Sequence, residues 1–355
     1  MLSIGIVGLP NVGKSTLFNV LTKNDILTAN YPFATIDPNT GIVPLPDERL
    51  EVLAKIYNSA KTIPATVKFV DIAGLVAGAS KGEGLGNQFL ANIREADAIA
   101  HMVRAFENDD IVHIADKVSP LEDIETINTE LVLADIGTLE KMIPKVMKEA
   151  KASKEAAVKL KKYQQLLDEF QAGKISPELS QFARDEKLPL LSTKPTIYVF
   201  NVDEETLTNQ ARKDELAKLV TPAESLFVSA KLEEDLSKLS GEEKQEFLDS
   251  YGIKETGLDQ LIKAAYTTLG LQSYLTAGPK ETRAWTIPRN ATAPQAAGVI
   301  HTDFECGFIA AQVVNYNDIV VAGSESAAKA AGKVRTEGKD YIMQPDDVVE
   351  FRFNV

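Results

Sequence analysis

The sequence predicts a mostly parallel α/β fold, interrupted by an inserted helical hairpin and followed by a small α+β module. Three observations lead there. Short apolar runs at Ser3–Val7, Val67–Val70 and Ala98–Val103 alternate with helical patterns, as a parallel sheet requires. Val132, Ile136, Leu139, Ile143 and Val146 then recur at alternating helical spacings, and Ala156, Leu160, Tyr163, Leu167 and Phe170 make a second seam. Beyond Gly278-Pro279, Val349, Phe351, Phe353 and Val355 alternate with Glu350, Arg352 and Asn354, the pattern of a half-buried strand. The expected domains are 1–128 with 190–277 for the α/β part, 129–189 for the helical insertion and 278–355 for the last module.

Taken in order, the first run passes directly into Gly8-Leu9-Pro10-Asn11-Val12-Gly13-Lys14-Ser15, and Ser15–Thr22 opens a helix. Ser153 is the candidate cap for the second helix of the hairpin and Gly173 its stop signal. Thr196–Phe200 reads as a further buried strand and Tyr251–Leu269 as a closing helix. In the last module, Ala284–Ile287 and Asp318–Ala322 read as strands and Glu325–Gly332 as a short helix.

Composition bounds the function. The 355 residues are 44% hydrophobic and 25% charged, enough to build sizeable cores, and the net charge is −13. Such acidity argues against a protein that coats nucleic acid, and no DNA specificity is expected. One stretch reverses the sign: Lys141 to Lys162 holds eight lysines and two glutamates. It reads either as a solvated helix face or as a local docking stripe. Cys306 is the lone cysteine, and no Cys/His cluster has metal-ligand spacing, so a reducing cytoplasm is the expected compartment. Met1–Leu9 lacks a basic flank and reads as a buried strand, not a leader. No apolar stretch is long enough to span a bilayer, so no membrane association is expected.

Gly8–Ser15 fits GxxxxGK[ST] in full, between a strand and a helix. Its glycines let backbone N–H groups curl around phosphate, Lys14 reaches the β- and γ-oxygens, and Ser15 offers a hydroxyl to Mg²⁺. Asp71-Ile72-Ala73-Gly74 closes the strand Val67–Val70, where the acid can hold Mg²⁺ through water and the Gly74 N–H can sense a γ-phosphate. Thr35 lies where a switch threonine would complete the metal shell. Gly78, Gly82, Gly84 and Gly86 suit a segment that reorders.

The base is addressed later in the chain. Guanine is read by Asn-Lys-x-Asp after a late strand; here Thr196–Phe200 is followed by Asn201-Val202-Asp203-Glu204. The lysine is missing, the acid in register is Glu204, one methylene longer, and Asp203 is out of register. ATP is therefore expected, the alternative being GTP read by Glu204 after a backbone shift. Ser229-Ala230-Lys231 matches the loop that closes over a base. The position that carries a water-orienting glutamine in Ras-type enzymes is Leu75, so the catalyst lies elsewhere or turnover is slow. Asn11 either coordinates a monovalent cation beside the phosphates or shapes the loop. His101 reads as core and His301 as remote; His113, after Glu107-Asn108-Asp109-Asp110, is either an ordinary loop residue or one that positions water.

Together, Gly8–Ser15 with Pro10-Asn11, Tyr31–Asn39, Asp71–Gly86 running into Asn87-Gln88-Phe89, and Asn201–Glu204 resemble the YchF group of Obg-related P-loop ATPases. Arg283–Pro288 and Ala293–Phe308 resemble that group's TGS module, so the resemblance spans nearly the whole chain. It implies a P-loop domain with a G-domain-like sheet, an inserted helical hairpin and a C-terminal β-grasp (TGS) domain. It also implies an ATP-preferring hydrolase that associates with the ribosome, its large subunit or the whole particle, through the TGS and lysine-rich helical parts. By the same resemblance Asn11, Val12, Gly13, Lys14, Ser15 and Thr16 clamp phosphate, and Ser15 and Thr35 bind Mg²⁺. Asn201 and Val202 flank adenine, K⁺ activates through Asn11, and His113 replaces the glutamine. Three readings of function stand at this point: a slow ATPase switch, a binding module with incidental turnover, and a GTPase.

Overall fold

The computed structural model describes residues 1–23, 39–74, 85–107 and 118–354. The chain forms two compact units, one from 1–41 with 68–261 and the other from 42–67 with 262–355.

In the first unit the four apolar runs become β1 (Ser3–Val7), β4 (Thr66–Asp71), β5 (Ala98–Arg104) and β6 (Thr196–Asn201). With β2 (Thr40–Pro44) and β7 (Glu224–Val228), which the sequence pattern does not mark, the sheet runs β2-β4-β1-β5-β6-β7. The pairings from β4 across to β7 are parallel. Every residue of β1 and β5 is buried, which explains why these strands read as continuous apolar runs rather than alternating ones. The strand order reverses at β1, where the chain visits β4 on one side and β5 on the other, and ligands bind at such a switch point beyond the strands' carboxyl ends.

The helical insertion belongs to this unit. Pro120–Glu149 and Lys154–Gln171 pack through the expected seams, with Leu139, Leu166 and Phe170 buried and Val132, Ile136, Ile143 and Leu167 half-buried against them. Ser153 caps the second helix, its Oγ accepting from the Ala156 N–H at 3.3 Å. Gly173 ends the helix in the left-handed region (φ 68°). A further helix, Pro177–Asp185, adds Leu179 and Ala183 to the same core.

One acid within the seam anchors the insertion. Asp135 is wholly buried and accepts from the Leu191 N–H (2.8 Å), the Ser192 N–H (2.8 Å) and the Ser192 hydroxyl (2.6 Å), just before β6 begins. Asp135→Ala leaves those donors unmatched, so a loss of about 3 kcal/mol is expected from roughly 1–3 kcal/mol per unmatched group. Urea unfolding checks this, and a loss below about 0.5 kcal/mol would remove Asp135 from the anchor.

The second unit is an α+β fold with sheet order β11-β10-β12-β8-β9-β3. Its strands are β3 (Thr62–Ile63), β8 (Leu271–Ala277), β9 (Thr282–Pro288), β10 (Phe308–Asn315), β11 (Arg335–Glu337) and β12 (Asp347–Phe353). The β8–β9 hairpin, the helix Ala293–Ile300, β10, and β12 running parallel to central β8 make a β-grasp. Tyr274, Ile287, Ala296, Ala297, Phe308 and Val349 are buried in its core.

Three expectations need correction. β8 belongs to this second sheet, so the α/β part does not extend to residue 277; the division between units falls after Leu261. Asp318–Ala322 lies in a helix, Tyr316–Ala322, because Asn315 caps it by accepting from the Asn317 N–H (2.9 Å) and Gly323 stops it at φ 72°. That cap-and-stop pair outweighs the β-branched run Ile319-Val320-Val321. The closing helix spans Gly257–Thr268 only, since Gly252 (φ 65°) turns the chain before it.

Candidate nucleotide site

The site grows from the end of β1. A side-chain carbon on Gly8 would stand 2.8 Å from the Met102 carbonyl oxygen and 2.9 Å from Val12 Cγ2, so only glycine fits between the loop and β5. Gly13 has φ 95°, and a Cβ there would collide with the Asn201 amide. Asn11 is exposed with φ 64°, a left-handed conformation that asparagine tolerates better than most residues. Lys14 opens the helix Lys14–Lys23, placing the Ser15 and Thr16 hydroxyls at the positive end of the helix dipole.

The two phosphate motifs meet in space. Lys14 Nζ forms an ion pair with Asp71 Oδ1, the last residue of β4, and their side chains are 10% and 21% exposed. Gly74 stands beside the loop: a side chain on it would lie 3.4 Å from the Gly8 carbonyl oxygen and 3.5 Å from the Pro10 nitrogen. Ser15 and Asp71 offer hard oxygen donors, the kind Mg²⁺ takes. Among the described residues no group of three or more His, Cys, Asp or Glu could cage a metal.

At the base end, Asn201 is buried at the end of β6 and ties two loops together. Its amide donates to the Val12 carbonyl at 2.8 Å, and its Oδ1 accepts from the Ala230 N–H at 3.0 Å. The phosphate loop and Ser229-Ala230-Lys231 are thereby held in one register. Val202 is buried; Ser229 caps the helix Ala230–Leu236 by accepting from the Leu232 N–H; Lys231 is exposed. Asp203 is consumed as a cap, accepting from the Thr206 N–H at 2.8 Å, while the Glu204 carboxylate accepts from the Tyr251 hydroxyl at 3.2 Å. Thr35, Leu75, Gly78, Gly82, Gly84 and His113 lie outside the described residues.

The other two histidines are placed as expected. His101 is buried against Tyr198 (5.1 Å between rings), and burial pushes its pKa down to about 3, so it stays neutral in the core. His301 is exposed in the second unit, where its Nδ1 accepts from the Asp303 N–H.

Behind the base-closing loop sits an acid that its sequence context does not flag. Glu233 is 5% exposed and accepts from the Leu258 N–H at 3.2 Å, beside a cavity of about 340 Å³ lined in part by Ser229 and Leu232. Burial pushes its carboxyl up to about 7, against the lowering pull of the Leu258 and Gly257 N–H groups. The folded chain therefore holds a proton that the unfolded chain loses near pH 4.5. This group's contribution to stability is full below that pH and is lost as pH rises through about 7. Glu233→Gln is expected to flatten that slope and to be the more stable form at pH 8. The gain is at most about 3 kcal/mol, at roughly 1.4 kcal/mol per pKa unit. Equal slopes for the two proteins in thermal unfolding from pH 5 to 8 would remove the effect.

A phosphate loop at the switch point, a lysine paired to the acid of a DxxG turn and a tied base loop define a P-loop nucleoside triphosphate hydrolase of the G-domain kind. Residues 3–135 match a family described as 50S ribosome-binding GTPase. Residues 271–354 match the YchF GTPase C-terminal family, described as a protein of unknown function. Relatives named ribosome-binding ATPase YchF include those of Haemophilus influenzae, 53% identical over 99% of both chains, and Bacillus subtilis, 50% identical over the whole of both. The structure of the Schizosaccharomyces pombe YchF GTPase superposes with a TM-score of 0.85 at 35% identity, covering 99% of this chain and 97% of that one. A GTP-binding protein from Pyrococcus horikoshii shares the fold (TM-score 0.59, 21% identity). The chain belongs to the YchF family.

Proposed function

We propose that the protein is a slow, Mg²⁺-dependent ATPase switch that prefers ATP to GTP and acts on the ribosome in the cytoplasm. The observation that carries the base preference is the fate of the two acids after Asn201. Asp203 caps a helix and stands out of register with the guanine-reading acid, and on that reading Glu204 is the acid toward the base. A guanine reader needs an acid that accepts from both N1–H and N2–H at short reach; adenine asks for less. Lys14 cradles the β/γ-phosphate oxygens, Ser15, Thr35 and, through water, Asp71 hold Mg²⁺, and the Gly74 N–H senses the γ-phosphate. The metal supplies charge neutralisation at the phosphates. Asn11 contributes to a K⁺ site there, and His113 positions the attacking water in the absence of a glutamine.

Ribosome association is supported by the names of relatives about half identical over the full chain. Lys148, Lys151 and Lys154 are exposed on the helical hairpin, whereas Lys159 and Lys162 are engaged with Glu186 and Glu178. The first three, with Lys141, Lys145 and Lys161, which are exposed as well, present charge that rRNA or ribosomal protein would meet, together with the TGS domain. Charge reversal at Lys148, Lys151 and Lys154 is expected to weaken ribosome co-sedimentation and flatten its salt dependence; unchanged binding would make the stripe idle.

The deciding experiment measures ATP and GTP affinity and phosphate release with Mg²⁺, in K⁺ and then Na⁺ buffer. Tighter ATP binding with K⁺-stimulated release supports the reading. A preference for GTP would return the protein to the GTPases, and binding without turnover, even with ribosomes added, would leave a nucleotide-stabilised binding module.

A further inference from the structure

We infer that Tyr251 is a specificity-determining residue that disfavours guanine by fixing the plane of the Glu204 carboxylate. The inference rests on Glu204 facing the base, as proposed above. Its geometry is independent of that reading. The Tyr251 hydroxyl donates to Glu204 Oε2 at 3.2 Å. The tyrosine ring stacks on Phe247 (5.0 Å between centroids, 30° between planes). Its backbone ends the helix Gly241–Ser250, where Gly252 in the left-handed region (φ 65°) reverses the chain and the Ile253 N–H returns to the Leu248 carbonyl at 3.0 Å.

The pairing is built into one small core. Leu248, from the helix that Tyr251 ends, is buried with Leu232 and Leu236 from the helix behind the base-closing loop. Leu207, from the short helix that Glu204 opens, packs on the same cluster with Phe247 and Ile253. The acid, the loop that closes over the base and the tyrosine therefore share one packed unit. The hydroxyl meets the carboxylate because three helices are fixed around these leucines.

The consequence follows from hydrogen-bond arithmetic. Guanine presents two adjacent donors, N1–H and the N2 amino group, and a carboxylate satisfies both only with two available oxygens. A carboxylate oxygen accepts two hydrogen bonds, so Tyr251 does not close Oε2, but its bond fixes the plane of the carboxylate, and turning both oxygens side by side toward guanine gives that bond up. Adenine presents no donor pair at that edge and asks for no such turn, so the penalty falls on guanine.

The test uses the full chain and calorimetric binding of ADP, GDP and IDP, whose hypoxanthine base keeps N1–H and lacks the N2 amino group. Tyr251→Phe removes only the hydroxyl of a partly exposed ring, and its thermal unfolding checks that the fold is kept. It is expected to tighten GDP binding about fivefold, as one hydrogen bond no longer given up allows, with ADP unchanged within about twofold and IDP gaining less than GDP. In a Glu204→Gln background the same change is expected to have no effect, because the tyrosine acts through that carboxylate. A wild-type protein that prefers ADP with an unchanged ratio in Tyr251→Phe would overturn the inference alone. A wild-type protein with no adenine preference would overturn the reading of Glu204 and the inference with it.

Discussion

Lys14→Ala is expected to lower phosphate release at least about a hundredfold, the loss typical when one preorganised donor to a transition-state charge is removed. The Lys14 ammonium sits at the helix start and pairs with Asp71, so it links the phosphate loop to the acid of the DxxG turn. Alanine takes away the cation that would follow charge onto the β/γ oxygens. It also leaves Asp71 without the pairing seen here. The fold should survive, because alanine and lysine are both good helix formers at the start of Lys14–Lys23. Steady-state release with saturating ATP and Mg²⁺, alongside thermal unfolding, separates the two effects. Turnover within tenfold of wild type would sink the assignment of Lys14 to the reaction. Lys14→Arg tests shape: the charge remains, but a planar fork replaces a point charge in a loop closed by backbone, and little activity should return.

Asn201→Ala is expected to weaken nucleotide binding by about one to two orders of magnitude and to cost about 2–4 kcal/mol of stability. The figure comes from two buried groups, the Val12 carbonyl and the Ala230 N–H, each losing its partner at roughly 1–3 kcal/mol. Both loops then lose their common register, which is why affinity and stability should fall together. Asn201→Asp separates the two ends. Its carboxylate can still accept from Ala230 but faces the Val12 carbonyl without a donor, so the phosphate loop should suffer more than the base loop. Isothermal titration with ADP and urea unfolding provide the numbers. If Asn201→Ala binds nucleotide as tightly as wild type, the tie is structural decoration and the register argument fails.

The placement of residues in sequence carried most of the fold. Strands β1 and β5 were legible because every residue is buried, which leaves near-continuous apolar runs, and β4 and β6 because they keep enough buried apolar residues between turn or helix signals. The helical hairpin was legible because its seam repeats over several turns. β7 has only one fully buried residue and gave no such run. The helix Tyr316–Ala322 was misread because Ile319-Val320-Val321 favours a strand locally, while Asn315 and Gly323 act only through backbone geometry at the ends. The α/β part was drawn too far, to residue 277, because β8 was not read as a strand, and its pairing partners β9 and β12 lie further along the chain.

The sequence by itself determined the motifs of this protein: a phosphate loop, the acid of a DxxG turn, an altered Asn-Lys-x-Asp segment and a lysine stripe each need a residue type at a short spacing, and local order records both. Tertiary structure alone decided which of those groups are free to act. It set Tyr251 on Glu204, joined Asn201 to two loops and paired Lys159 and Lys162 with acids. The physical reason is that a hydrogen bond or ion pair depends on distances of about 3 Å between side chains whose separation along the chain is unrelated to their separation in space.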